Sequence, residues 1–544
     1  MTEHEMTGGD AIVESLARHD VDVLFGMPGV QTYELFDALQ RRDGAIRVVS
    51  PRHEQAAAYM AFGYAQATGR PGIYSVVPGP GVLNAGAALC SAYGASTPIM
   101  CLTGEVPAGF IGSGKGHLHE LPDQLGLLRG LTKWAARIDA PCDAPRLVAE
   151  AFRQMASGRP RPVALEMPWD VFGQRQPVCV VEPLGALTAP APDDEAVELA
   201  LRALRSASNP MIMVGSGALE AAPEILELAE RLQAPVVSFR GGRGVVSDDH
   251  HLGFTCAAGF RRWAQTDVLL GIGSRLELQW FRWPDQPAGL ATITIDIDPS
   301  QAQRLNPDVA LVGDSGACVR SLLAGLPEQP RSERRQEFEE VKAETERAIQ
   351  EVSPYVQLLA AIREALPRDG FLVEEICQAG FTSYYGFPVY APRTFVTCGH
   401  QGTLGFGFPT ALGVKVAHPD RAVVSITGDG GFQFGLQELA TAMQYGIDLV
   451  TVVFNNNAYG NVVRDQQRLF DGRLIASELR NPDFVALSRS YGVHADRVTQ
   501  PVELRNAIAA AIDRGGPAVI EVAVPGAAGT SPWQYLMPAG RRRG

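Results

Sequence analysis

The chain is predicted to be an α/β protein built from three doubly wound parallel-sheet domains. Three observations lead there. Apolar strand-like runs alternate with helix-period segments over almost the whole length, the pattern of parallel sheets covered by helices on both faces. At 544 residues the chain exceeds one ordinary core and fits about three domains. Two composition shifts mark linkers: 183–194 is rich in Pro and Ala, and 327–354 is strongly charged, with a helix expected over 337–351. The domains then fall at 1–180, 190–326 and 355–544. In the first, strand 21–25 is followed by helix 31–40, strand 47–49, helix 55–67, strand 73–77 and strand 99–103. The first and third domains share length and rhythm without a residue-level repeat.

Composition excludes several classes. An apolar content of 46% supports large cores, and a net charge of −13 with scattered basic residues argues against nucleic acid as a partner. The tail Arg541-Arg542-Arg543 is too short to change that. Eight cysteines contain no Cys-x-x-Cys pair and several sit in apolar runs, so they read as reduced core residues, and the expected setting is cytoplasmic. The polar, acidic start and the lack of any apolar run of membrane-span length predict neither secretion nor membrane insertion.

The densest chemical signal is Ile426-Thr427-Gly428-Asp429-Gly430-Gly431 followed by Val452-Val453-Phe454-Asn455-Asn456-Asn457. Each half closes an apolar strand. The first, ending strand 421–427 and leading to a helix from about Gln433, offers the N–H groups of Gly430 and Gly431 to an anion, and glycine permits the close approach. Asp429 and Asn456 are 456 − 429 = 27 residues apart, one strand-loop-helix-strand excursion, so both reach neighbouring strand ends. A carboxylate and an amide oxygen beside phosphate suit magnesium.

The spacing of Gly-Asp-Gly and Asn-Asn resembles the cofactor motif of thiamine-diphosphate-dependent enzymes. Gly402-Thr403-Leu404-Gly405-Phe406-Gly407-Phe408-Pro409 resembles the acetolactate synthase branch, a likeness that extends along nearly the whole chain. The resemblance implies thiamine diphosphate and Mg2+ as cofactors, with Asp429, Asn456 and the carbonyl of Ala458 on the metal and Gly428, Gly430, Gly431 and Gln378 around the diphosphate. Ala379 stands where the family has histidine. Pro51-Arg52-His53-Glu54-Gln55-Ala56-Ala57 matches the family string that supplies the carboxylic acid for the cofactor's pyrimidine nitrogen, making Glu54 the acid-base residue. Gly402 would offer its carbonyl to the 4′-amino group, and Leu404 would hold the bent cofactor's rings, where many relatives carry methionine. The family places Glu54 and Asp429 on different subunits, so a homodimer, or a homotetramer built from it, is expected.

Substrate selection is less determined. Met27-Pro28-Gly29-Val30 resembles the active-site loop, assigning Gly29 and Val30 to the catalytic end and Pro28 to the cofactor side, and Val77-Pro78-Gly79-Pro80-Gly81 resembles a second pocket loop; both also make ordinary turns. Gly104-Glu105-Val106-Pro107 and His117-Leu118-His119-Glu120 depart from the synthases' Gly-Gln-Val-Pro and Phe-Gln-Glu. His119 is either a proton shuttle or part of a solvent-facing loop. In the middle domain Arg275-Leu276-Glu277-Leu278-Gln279 replaces the flavin-binding Arg-Phe-Asp-Asp-Arg, so activity without FAD is expected, with Trp280, Phe281 and Trp283 filling the space.

The leading expectation is an enzyme that decarboxylates a 2-oxo acid and joins the remaining acyl unit to a second carbonyl compound. The alternative releases an aldehyde instead. An inactive paralogue is opposed by the intact Glu54, Asp429 and Asn456, and an oxidoreductase built on Val214-Gly215-Ser216-Gly217-Ala218 lacks a full Gly-x-Gly-x-x-Gly.

Overall fold

The computed structural model describes residues 3–42, 44–524 and 531–538, so the arginine tail lies outside the described residues. Three six-stranded sheets dominate, and every pairing within them is parallel. Burial on both faces explains their near-continuous apolar strands: Gly72–Val76, Ile99–Glu105 and Val163–Pro168 are buried at every position. A two-stranded antiparallel clasp pairs His4–Thr7 with Arg175–Val178, tying the start of the first α/β unit to its end.

The first sheet runs, edge to edge, Arg47–Val49, Val23–Gly26, Gly72–Val76, Ile99–Glu105, Val163–Pro168, Trp134–Arg137. Numbered along the chain this is 2-1-3-4-6-5. The third sheet repeats that order with Phe395–Val396, Phe371–Val373, Val423–Gly428, Val450–Asn455, Ala518–Ala523 and His494–Val498. The shared rhythm in the sequence therefore reflects one topology used twice. The middle sheet has order 3-2-1-4-5-6, with Pro210–Val214 and Val268–Ile272 at its centre, the doubly wound arrangement of nucleotide-binding folds. The charged linker carries the helix Arg335–Ile349, two residues earlier than expected.

One crossing sets the frame for the site. Helix Glu54–Thr68 is buried nearly all round, as is Gly407–Ala417, the mark of helices enclosed within a core. They cross between the first and third sheets at glycines. A Cβ on Gly63 would lie 2.1 Å from the Thr410 carbonyl oxygen, and one on Gly413 would lie 2.0 Å from that of Met60. Their backbones touch, as only glycine allows.

Of the eight cysteines, all free, only Cys101, Cys256, Cys318 and Cys398 are buried. Cys90 and Cys142 are exposed, correcting the uniform core reading: Cys90 lies on the outer face of helix Pro80–Ala95, and Cys142 in the short turn Pro141–Asp143. Among the described residues no helix is long and apolar enough to cross a membrane.

Candidate active site

In the third domain the order switches between Phe371–Val373 and Val423–Gly428, and the crevice beyond the carboxyl ends of such strands is where open α/β sheets bind ligands. A cleft enclosing about 800 Å3, some of it open to solvent, lies there. Gln378, Leu404, Gly428, Asp429, Gly430, Gly431, Asn456 and Ala458 line it together. Eight residues spread over 80 positions of sequence thus converge, because each follows a strand end in the same sheet. The helix predicted to begin near Gln433 starts earlier: Asp429–Phe432 forms a single turn directly on the strand, and the chain resumes as Leu439–Tyr445 after Gly435.

Asp429 is 2% exposed, and its carboxylate accepts from Asn481 Nδ2 at 2.6 Å. Burial pushes its pKa up, while bonds from Asn481 and the Gly430, Asn457 and Ala458 backbone oppose that; none of these partners is a cation. A buried carboxylate in need of positive charge, an adjacent Asn456 amide oxygen and the Ala458 segment form a hard-oxygen donor set that suits magnesium. Asn456 Oδ1 already accepts from the Ala458 N–H at 3.2 Å, which fixes its orientation. Asn481 also donates to Asn455 Oδ1 at 2.9 Å. No spacing argument had singled out Asn481, which lies in the irregular segment before helix Phe484–Ser490, 52 residues beyond Asp429.

Two longer helices aim their N-termini at the same cleft, Gln378–Gly386 and Gly460–Leu469, and Cys377, Gln378, Gly460 and Asn461 all line it. Helix N-termini present free N–H groups and partial positive charge, which fits a diphosphate. Leu404, Phe381, Phe454 and Tyr355 give the remainder an apolar wall. The donor set, the helix ends and this wall match the chemistry of magnesium, diphosphate and an aromatic ring system.

Beneath the cleft sits Glu375, another residue that sequence reading passed over. It is fully buried; Oε1 accepts from the Gly405 N–H at 2.7 Å, and Oε2 from the Gly407 N–H at 3.0 Å and Thr427 Oγ1 at 2.9 Å. One carboxylate thus ties the Leu404 turn to the strand that delivers Asp429. Burial pushes its pKa up to about 7 against those bonds. A Cβ on Gly431 would lie 1.9 Å from its Oε1, so glycine at 431 leaves room for this brace.

The first-domain residues assemble separately. Glu54 opens its helix behind the N-cap His53, and its carboxylate accepts from Asn84 Nδ2 at 3.1 Å. The loop carrying Pro28, Gly29 and Val30 lies against Val77, and the Gly29 N–H donates to Thr32 Oγ1 at 3.1 Å. His119 Nδ1 pairs with Gln31 Oε1 at 2.9 Å, while Gln31 Nε2 donates to the Leu118 carbonyl. His117 instead lies tilted against the Phe110 ring, with its Nδ1 buried and unpartnered. Among the described residues none before Tyr355 lines the Asp429 cleft, so a single chain does not bring Glu54 to it. Gly402, at φ +62°, stands at the exposed edge of its turn beside Ile376, which lines the cleft.

A second cleft of about 810 Å3 opens at the switch point of the middle sheet, lined by Gly215, Ser216, Gly273, Arg275 and Glu277 with Gly94 and His400 from the flanking domains. Trp280 and Phe281 do not fill it: they are 61% and 53% exposed, and only Trp283 is buried, against Trp263 and Phe260. The π-turn Leu278–Arg282 carries the first two outward.

Three family profiles match the chain: the N-terminal TPP-binding domain of thiamine pyrophosphate enzymes over 6–127, their central domain over 197–322 and their C-terminal TPP-binding domain over 375–522. Among curated relatives, a protein named probable 2-ketoarginine decarboxylase from Pseudomonas aeruginosa is 34% identical over 529 residues, covering 95% of this chain and 94% of that one. An acetolactate synthase of Arthrospira platensis is 32% identical over 553 residues, with 95% and 94% covered. The acetolactate synthase isozyme 3 large subunit of Escherichia coli is 31% identical over 535 residues, with 94% and 92% covered.

Proposed function

Because the chain belongs to the thiamine-diphosphate-dependent enzyme family, we propose that it decarboxylates a 2-oxo acid and joins the remaining acyl unit to a second carbonyl compound, as an acetolactate synthase does. The observation that carries this reading is the convergence of Asp429, Asn456, Ala458, Gly430 and Gly431 on one cleft at the switch point of the third sheet. Bound thiamine diphosphate supplies the carbon nucleophile and the electron sink for loss of CO2. Asp429 and Asn456, with the Ala458 carbonyl, hold the magnesium ion. Gln378, Gly430 and Gly431 bind the diphosphate, Leu404 and Gly402 orient the ring system, and Glu54 holds and returns a proton at the pyrimidine nitrogen. Gly29 and Val30 stand at the reacting end, with Pro28 behind them.

Glu54 and the Asp429 cleft stand apart within one chain, which supports a site completed between two copies and hence a homodimer or a homotetramer; the cysteines, all free, fit a reducing cytoplasmic setting. FAD is not required in this reading. The mechanism needs no redox group, and Leu278 and Gln279 stand in place of the Asp and Arg of the flavin-binding string.

A second reading, release of an aldehyde without ligation, is favoured by the His119–Gln31 pair at the substrate end and by likeness to a protein named as a decarboxylase. One experiment separates the two. Protein saturated with thiamine diphosphate and Mg2+ is offered a panel of 2-oxo acids with and without aldehyde acceptors, and CO2 and carbonyl products are both measured. Ligated hydroxyketone is expected; aldehyde alone selects the second reading, and no CO2 from any acid overturns both. The absorption spectrum of the same preparation, with and without added FAD, tests the flavin statement.

A further inference from the structure

Glu54 opens a helix whose entry is fixed from the third domain. Between strand Arg47–Val49 and that helix runs Ser50-Pro51-Arg52-His53. The Ser50 N–H donates to Tyr445 Oη at 2.9 Å, and the Arg52 N–H donates to both carboxylate oxygens of Glu438, at 3.1 and 2.9 Å. The Arg52 guanidinium reaches Gln444 Oε1. Glu438 is completely buried and takes two further bonds, from Thr441 Oγ1 at 2.6 Å and from Gln437 Nε2 at 3.4 Å.

Burying a carboxylate costs several kcal/mol unless hydrogen bonds compensate, yet both oxygens of this one converge on a single backbone amide two residues before Glu54. Within the first domain the Glu54 carboxylate has one polar partner, Asn84. The direction it takes therefore depends on where its first helical turn begins, and a misplacement of about 1 Å in an acid-base group is enough to cost on the order of 100-fold in rate.

We propose that Glu438, supported by Tyr445, is the positioning residue for Glu54, holding the Ser50–Arg52 backbone so that the Glu54 carboxylate meets the cofactor. This rests on the reading of Glu54 as the proton-holding group. The segment from Asp429 to Tyr445 then serves two ends: its start lines the metal cleft, and its finish steers the acid-base residue of the first domain.

The test measures hydrogen–deuterium exchange at C2 of thiamine diphosphate bound to the full-length protein with Mg2+, beside calorimetric cofactor affinity. Glu438→Ala should slow exchange by about 10- to 100-fold while affinity stays within about twofold, because Asp429 and Asn456 are untouched. Glu438→Gln keeps one oxygen for the Arg52 N–H and should recover most of the rate. In a Glu54→Gln background, Glu438→Ala should cause no further loss, since a positioning residue has nothing left to position. Additive losses, or a fall in affinity matching the fall in exchange, would assign Glu438 a merely structural role and overturn the proposal. Should Glu438→Ala fail to fold, Tyr445→Phe removes only the Ser50 acceptor: a loss of about threefold or more, absent in the Glu54→Gln background, supports the proposal, and a wild-type rate overturns it. Glu54→Gln exchanging as fast as wild type removes the underlying reading itself, whatever Glu438 does.

Discussion

Gly431→Ala adds one methyl group at the point where the cleft floor and its brace meet. Its Cβ would lie 1.9 Å from Glu375 Oε1 and 3.3 Å from Thr427 Oγ1. Relieving the first contact requires a displacement of about 1.5 Å, since carbon and oxygen rest some 3.2 to 3.5 Å apart. The Glu375 side chain has no open space to swing into, being fully buried and held by the Gly405 N–H, the Gly407 N–H and Thr427. The methyl therefore breaks at least the Oε1 bond and leaves the Gly405 N–H without its acceptor. Above about pH 7, where the Glu375 carboxylate is ionised, a hydrogen bond to it contributes about 1.5 to 3 kcal/mol, and a stranded buried donor adds to that. A loss near 3 kcal/mol, felt at the Leu404 turn and the Gly430–Gly431 amides, corresponds to roughly a 100-fold weaker hold on thiamine diphosphate. Isothermal titration with the cofactor at saturating Mg2+ reads this directly. Affinity within about twofold of wild type would refute the reasoning, since it would mean that the Glu375 brace moves without consequence for the cleft.

Three further outcomes are expected. Asp429→Ala should abolish Mg2+-dependent cofactor retention and Asn456→Ala should weaken it less, by loss of one charged and one neutral oxygen ligand respectively; gel filtration followed by thiamine assay, with and without chelator, decides. His119→Ala should lower aldehyde release more than CO2 formation or ligation if the Gln31-paired ring returns the proton, whereas equal loss in every product channel assigns it to packing. Glu375 gives a pH signature: its pKa stands at about 7 in the fold against an ordinary 4.5, so the folded state keeps a proton that the unfolded chain has released. Its contribution to stability is thus full below about pH 4.5 and lost as pH rises through about 7, by up to about 3 kcal/mol. Glu375→Gln removes that slope. The melting-temperature difference between wild type and variant, followed from about pH 5 to about pH 8, should shift against the wild type as pH rises, and a constant difference contradicts the assignment. Asp429, Glu374 and Glu438 are raised in the same direction, which is why the difference is the quantity to measure.

The convergence of Asp429, Gly430, Gly431 and Asn456 on one cleft was legible because its parts are local: a glycine turn after one apolar strand and an asparagine pair after the next, each set by strand termination. The three parallel sheets were legible for the same reason, since alternation of strand and helix is written residue by residue. Glu375, Asn481 and Glu438 escaped because each acts across a long sequence distance, and an isolated acid or amide in a loop or short helical turn looks like any capping residue. Trp280 and Phe281 were misplaced because aromatic bulk was equated with burial, whereas a π-turn turns both toward solvent. The separation of Glu54 from the Asp429 cleft is a property of how the two like-ordered sheets pack, which no spacing encodes.

Gly63 and Gly413 put two main chains in contact with no side-chain cushion between them. A cushioned helix pair can slide by exchanging rotamers; this one must lift a whole backbone over a carbonyl before it moves. The crossing therefore acts as a rivet, and the first and third domains share one stiff chassis. The strand-end loops, not this crossing, are the part of the two domains with room to adjust around a reactant.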